Sequence, residues 1–220
     1  SNGFYEFPED KPKAFLHKYR SDPENNQLRT PSGKIEIYSS TINSFEYDDC
    51  PGHPVWLEPC EWLGSDKAEN FPLHLITNQP KTRLHSQYDN GGYSLKNKIQ
   101  DREPVSINPK DAHKREIKDG DVVKIYNSRG ACLAGAVITE DVMPNVVQIS
   151  TGAWFDPLSP GKSGSMDVHG NPNILTIDKG TSKLAQGPSA MSALVEVEVF
   201  EGELPPIKIF NPPLTEKKNI

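Results

Sequence analysis

The sequence predicts a mainly β chain whose strands close into a barrel with a few short helices. Short apolar or alternating runs recur between turn signals, the spacing of a closed barrel and not of a doubly wound sheet. No long apolar helix interrupts them. One run holds Ala131, Ala134, Gly135 and Ala136, small residues suited to a place where backbones approach closely.

Residues 1–70 read as an irregular arm that belongs to an upstream domain. Residues 11–19 predict a short helix. Lys34-Ile35-Glu36-Ile37-Tyr38 alternates polar and apolar residues like a half-buried strand, after the turn chemistry of Thr30-Pro31-Ser32-Gly33. Residues 49–62 mix Pro and Gly with Trp56 and Trp62, and predict an extended segment laid over an apolar surface.

Residues 71–200 carry the barrel, and 201–220 a tail. Residues 71–77 and 104–107 predict strands, with 93–98 left between helix and strand. Asn108-Pro109 is an N-cap followed by proline at the first helical position, so one or two helical turns follow over 110–116. Asp119-Gly120 is a turn. Strands over 122–126 and 131–139 flank Asn127-Ser128-Arg129-Gly130, a hairpin loop with a glycine available for positive φ. Residues 146–150 and 190–200 complete the set. The apolar strand positions predict a core of Leu75, Val105, Ile107, Val122, Val123, Ile125, Leu133, Val137, Val147, Ile149, Leu194 and Val197. The stretch 155–181 is too long to be mere connection.

Composition narrows the function classes. The net charge of −6 argues against nucleic acid as the main partner, yet residues 74–130 carry eleven Lys and Arg against seven Asp and Glu. A locally basic region in an acidic chain suits an anionic ligand, as well as a solvated charged face. No apolar run approaches the ~20 residues of a membrane-spanning helix. No basic segment followed by an apolar one stands at the N-terminus. Cys50, Cys60 and Cys132 form no C-x-x-C pair; a Cys50–Cys60 bridge is conceivable, but free thiols fit better, and Cys132 reads as core. No Walker loop, G-x-G-x-x-G, G-x-S-x-G or full metal-ligand set is present, so neither catalytic nor metal-ligating residues are assigned.

The most informative segment starts as a strand, breaks at Asn78-Gln79-Pro80, and then crowds Arg83-Leu84-His85-Ser86-Gln87 together. A strand-end loop this rich in hydrogen-bonding side chains suits a large polar ligand. Far downstream stand His169-Gly170-Asn171-Pro172-Asn173 and Thr181-Ser182-Lys183-Leu184-Ala185-Gln186-Gly187. Together these strings resemble the C-terminal dinucleotide-binding domain of the molybdopterin oxidoreductases, in the dimethyl sulfoxide, trimethylamine N-oxide and biotin sulfoxide reductase branch. The resemblance covers residues 71–199 well, and more weakly Thr30-Pro31-Ser32-Gly33-Lys34-Ile35-Glu36 and Asp49-Cys50-Pro51-Gly52-His53-Pro54.

The resemblance implies a six-stranded double-psi β-barrel that holds molybdopterin guanine dinucleotide within a larger S-oxide or N-oxide reductase. The metal ligand would come from an upstream domain, the electron donor would be a cytochrome or other redox protein, and the parent enzyme would be periplasmic. The chain by itself would be catalytically inert. Such a cofactor needs planar donors and acceptors for its rings and cations or N–H groups for its pyrophosphate. Arg83 offers a fork, His85 and Gln87 reach heterocycle edges, and Ser86 adds a hydroxyl. Asn171, Asn173 and Gln186 carry amides, Lys183 a point charge, and Thr77 and Asn78 backbone N–H groups. Each has a plainer reading: surface ion pair for Arg83, structural histidine for His85, turn residues for the asparagines. The contrasting function is a free-standing double-psi barrel that serves as an interaction module with no redox role. Two amide-rich loops far apart in sequence have no use there, so the cofactor reading is preferred.

Overall fold

A computed structural model describes residues 3–5, 7, 13–189 and 191–212 of the chain. Lys11 and Pro12 of the expected first helix, Ala190 of the expected last strand and residues 213–220 of the expected tail lie outside them. The chain divides into two compact units, Ser1–Leu57 and Glu58–Ile220.

The first unit holds two short helices, α1 (His17–Ser21) and α2 (Ser40–Asn43), and neither buries a residue. The strand expected at 34–38 does not form. Alternation makes a strand only when a neighbour supplies ladder hydrogen bonds; here local bonds win, Thr30 Oγ1 donating to Lys34 O at 2.6 Å and Ser32 N to Glu36 Oε1 at 2.8 Å. Ile35 and Ile37 consequently stay exposed, as do Phe15 and Trp56.

The second unit is built on six strands: β1 (Leu73–Asn78), β2 (Pro104–Ile107), β3 (Val122–Tyr126), β4 (Ala131–Ile138), β5 (Val146–Ser150) and β6 (Ala193–Val199). They close in the order β1-β5-β2-β4-β3-β6. Two parallel pairs, β1 with β5 and β2 with β4, stand among antiparallel ones and give the double-psi barrel its crossed connections. The segment 93–98 resolves as helix α3 (Gly92–Lys96). Helix α4 (Pro109–Lys114) starts where Asn108 Oδ1 accepts from Lys110 N at 3.0 Å. Among the described residues no helix is long and apolar enough to cross a membrane.

The inward positions follow from pleat alternation: Leu75 pairs with Val147, Val105 with Ile149 and Ile125 with Val197, all fully buried. Several expected core positions differ. Val137 pairs with Ser106 on the outward face and is only half-buried, because β2 sets the register of β4 one residue out of phase with it. Val122 and Leu133 are buried, but in a second, outer core with Val168, covered by Met166, Phe200, Leu204 and Ile207. The long segment after β5 thus covers one outer wall of the barrel.

Gly130 does not adopt the left-handed conformation expected of it. Its need is close approach: a Cβ there would lie 2.6 Å from Ile174 Cγ1 of the Pro172–Leu175 turn. The compact unit also begins upstream of the expected boundary at residue 70. Glu61 is buried, and its carboxylate takes Arg129 Nη2 at 2.9 Å, Lys67 Nζ at 3.0 Å and Leu194 N at 3.1 Å. Burial alone would push this carboxyl up, but Arg129, the Leu194 N–H and Lys67 hold it down at about 2. Cys50, Cys60 and Cys132 are free thiols, and burial pushes that of Cys132 well up.

Truncating inward residues should cost more than truncating outward ones. Denaturant titration should show Leu75→Ala or Ile107→Ala losing about 2–5 kcal/mol of stability, while Val137→Ala loses about 1 kcal/mol or less. Equal losses would mean a different register of β4.

Candidate functional site

The outward positions of β1, β5 and β2 are polar where the three strands adjoin. Asn78 pairs with Ser150, and Gln148 with Ser106. This polar wall, the start of the loop after β1 and the turn after α3 enclose a groove of about 310 Å³. Asn78, Lys81, Ser106, Gln148 and Ser150 line it, together with the charged side chains of Arg83, Lys98 and Glu103. Asn78 donates through Nδ2 to Gln79 O at 2.9 Å, whereas its Oδ1 is buried without a partner. A buried acceptor left unpaired costs about 1–3 kcal/mol, so this oxygen is suited to a ligand N–H.

Beneath the groove four ionised side chains form a closed ring. Arg83 Nη1 lies 3.1 Å from the Glu103 carboxylate, and Lys98 Nζ lies 3.0 Å from Glu103 and 2.9 Å from Asp89. Arg83 Nε closes the ring 3.4 Å from Asp89. Each side chain is at most 4% exposed. Burial by itself would raise the Asp89 carboxyl; hydrogen bonds from Lys98 and Trp154 N, with the charges of Lys98 and Arg83, hold it below its usual value. The ring is neutral, since two cations face two anions.

Arg83 is therefore not the free fork its sequence context predicts. Its nitrogens are engaged inside the chain: Nε with His85 O at 3.0 Å, Nη1 with Glu103, and Nη2 with Thr151 O at 3.1 Å. Among the described residues that line the groove, Lys81 is the exposed cation. Thr77 and Asn78 are adjacent in a strand and point to opposite faces; Thr77 Oγ1 meets Met191 Sδ at 3.3 Å, away from the groove. His85, Ser86 and Gln87 are exposed in the following loop. Asn171 behaves as the turn residue of its plainer reading. Its Nδ2 donates to Ala153 O at 2.8 Å and its Oδ1 caps Asn173 N at 3.0 Å. The side chains of Asn173 and Lys183 are exposed, and Gln186 Nε2 turns back to Ser182 O at 2.8 Å in a small hairpin of its own.

The two sequence-distant loops do meet in part. Glu103 N donates to His169 O at 3.0 Å. Trp154 donates from its backbone to Asp89 at 2.8 Å and from its indole to Ser86 O at 2.7 Å. The loop after β1 and the segment around His169 to Asn171 are thus joined through residues 151–154. Thr181 closes instead on Gly187, 2.8 Å from N to O. Sequence reasoning missed Asp89, Lys98 and Glu103, whose separation hides the ring. It also passed over Gln148 and Ser150, although the alternation of β5 marks them as outward polar positions.

A second buried system lies behind this junction. Burial pushes the Asp167 carboxyl up to about 7, although the backbone N–H groups of His169 and Asn171 favour its charge. His169 is fully buried, its Nδ1 2.9 Å from Trp154 O, and burial together with Lys98 lowers its pKa.

Comparisons with known proteins show the family to which the chain belongs. The profile of the molydopterin dinucleotide binding domain matches residues 73–194. A dimethyl sulfoxide/trimethylamine N-oxide reductase of Cereibacter sphaeroides is 45% identical over 97% of this chain and 26% of its own length. Trimethylamine-N-oxide reductase 1 of Escherichia coli K12 is 47% identical over 88% of this chain and 23% of its own. The chain thus spans about a quarter of the length of these relatives. The acetylene hydratase of Pelobacter acetylenicus shares the fold: its TM-score is 0.64 at 22% identity, over 81% of this chain and 25% of that one.

The buried Asp167 carboxyl makes a pH prediction. A pKa raised from 3.8 to about 7 adds stability that is fully present below 3.8 and is lost as pH rises through 7. His169, lowered, acts oppositely over part of that range, so the informative comparison is with Asp167→Asn. From pH 4 to pH 8 the stability of the unsubstituted chain relative to this variant should fall, by up to about 4 kcal/mol. A difference that does not change with pH would mean that Asp167 is ionised throughout.

Proposed function

The chain belongs to the molydopterin dinucleotide binding domain family, and on that premise we propose that it is the cofactor-holding portion of a molybdenum oxidoreductase that reduces S-oxides or N-oxides. The groove on β1, β5 and β2 would receive part of molybdopterin guanine dinucleotide. The observation that carries this reading is the unpaired, buried Oδ1 of Asn78 in a groove where polar and charged side chains outnumber the two prolines Pro80 and Pro104. A fused pterin or a guanine presents ring and amino N–H donors along one edge, which this acceptor matches. The groove volume fits one ring system and not the whole dinucleotide.

The bound cofactor supplies the oxygen-atom and electron chemistry. The chain's own residues bind and orient it. Asn78 would accept from a heterocycle edge, Gln148, Ser106 and Ser150 would offer both donors and acceptors, and Lys81 would supply a cation for a phosphate. Arg83 and Lys98 lie beneath the groove with their charge already matched by Glu103 and Asp89. Among the site residues proposed from sequence, Asn78 takes a direct role through its side chain. His85, Ser86, Gln87, Asn173, Lys183 and Gln186, exposed in the loops, would meet parts of the cofactor beyond the groove. Arg83 and Asn171 act by holding backbone in place, and Thr77 acts through its backbone alone.

The rest rests on the resemblance to the relatives. The remaining domains of the same enzyme would be the chief partners and would bring the metal ligand. A cytochrome or other redox protein would donate electrons, and the enzyme would work in the periplasm. No observation favours the interaction-module reading.

The test is Asn78→Leu in the full-length enzyme, which removes the acceptor and keeps the volume. Molybdenum per protein, by elemental analysis, should fall roughly 5- to 150-fold under competing conditions, the equivalent of about 1–3 kcal/mol. N-oxide or S-oxide reduction should fall in step with the metal content. Full molybdenum content in a folded variant would contradict the assignment of the groove.

A further inference from the structure

His85 is held in the left-handed region, with φ 50°. That conformation is costly for a residue with a Cβ, and it persists only where neighbours impose it. Three neighbours do so. Arg83 Nε donates to His85 O at 3.0 Å while Arg83 Nη2 donates to Thr151 O at 3.1 Å, so one guanidinium ties the His85 carbonyl to the turn after β5. Gly152, itself at φ +89°, lies so close to that carbonyl that a Cβ would collide with it. On the next residue, Ser86 O accepts the Trp154 indole N–H at 2.7 Å.

The ring is fixed as well as the backbone. Gln79 Nε2 lies 3.2 Å from His85 Nδ1. With the Gln79 amide so oriented its nitrogen donates, and a neutral imidazole that accepts at Nδ1 carries its proton on Nε2. The loop thus presents an exposed imidazole held at Nδ1, whose other nitrogen, Nε2, is the one left to meet a ligand.

We infer that Arg83, Gly152 and Gln79 are positioning residues whose task is to present His85 Nε2–H as a hydrogen-bond donor beside the groove. The partner chemistry is an oxygen acceptor, a phosphate or ring carbonyl oxygen; that this oxygen belongs to the cofactor rests on the function proposed above. The ion ring beneath explains why Arg83 is fitted for the task. Glu103 and Asp89 match its charge, leaving the remaining N–H groups of its rigid fork for two carbonyls at once, which a lysine cannot reproduce.

The test has two arms. In this chain, NMR reads His85 directly, through the short intraresidue HN–Hα distance of a left-handed residue and the ring nitrogen shifts that report the tautomer. Arg83→Lys should abolish the short distance, and Gln79→Leu should turn the single Nε2–H tautomer into a mixture. Either variant folding with His85 unchanged overturns the corresponding role, and Gln79→Leu stays decisive should Arg83→Lys not fold. In the full-length enzyme, Arg83→Lys and His85→Ala should each lower molybdenum retention roughly 2- to 10-fold, the loss of one net hydrogen bond. The double variant should be no worse than the worse single one. Additive losses, or a His85→Ala enzyme with full metal content, would overturn the inference. An unsubstituted full-length enzyme without molybdenum would instead contradict the proposed function, while the NMR arm would still decide the positioning roles.

Discussion

The closed ring of Arg83, Glu103, Lys98 and Asp89 is the constraint on which the site depends. Four ionised groups lie almost wholly out of water, a situation tolerated only because each charge touches two of opposite sign. The residues come from the loop after β1, the turn after α3 and the residue preceding β2. Removing any one would strand a buried charge, at a cost of about 3–5 kcal/mol. Such a ring adds little net stability over apolar packing. What it fixes is geometry: the loop after β1 can stand in one place only.

From the ring, order spreads outward by hydrogen bonds to backbone. Asp89 takes Trp154 N, Trp154 O meets His169 Nδ1, and Glu103 N meets His169 O. Residues 205–210 add a strap on the far side. Arg102 Nη2 donates to Pro205 O, Asp156 Oδ2 accepts from Lys208 N and Ile209 N, and Phe210 packs edge-on to His169 with centroids 5.0 Å apart. The tail after β6 is therefore part of what holds the junction behind the groove. The groove itself stays polar and partly unsatisfied at Asn78, a combination that makes sense where a ligand completes the hydrogen bonding.

Much of the fold was legible because its signals are local. Clean alternation over residues 194–199 yields β6, and Asn108 with Pro109 starts α4 where capping chemistry demands. Alternation failed at residues 34–38 because it is a necessary condition for a strand and not a sufficient one: among the described residues no strand pairs with it. Val137 failed for a related reason, since a strand's inward face is decided by its partner's register. Leu133 and Val122 were recognised as buried, but which side of the barrel buries them depends on the long segment after β5. At the site the identity of Arg83 was legible and its role was not. A guanidinium looks the same in sequence whether it grips a ligand or a pair of backbone carbonyls, and Asp89, Lys98 and Glu103 give no periodic sign that they converge. The tie of Glu61 to Arg129 was hidden in the same way.

The most direct measurement is an experimental structure of the full-length enzyme with its cofactor bound. The account predicts a planar ring of the cofactor in the groove on β1, β5 and β2, with a ring or amino nitrogen within hydrogen-bond distance of Asn78 Oδ1. Arg83 should still be paired with Glu103 and Asp89 beneath it. Cofactor density confined to another face of the barrel, or Arg83 swung out of its ring to grip a phosphate, would contradict it.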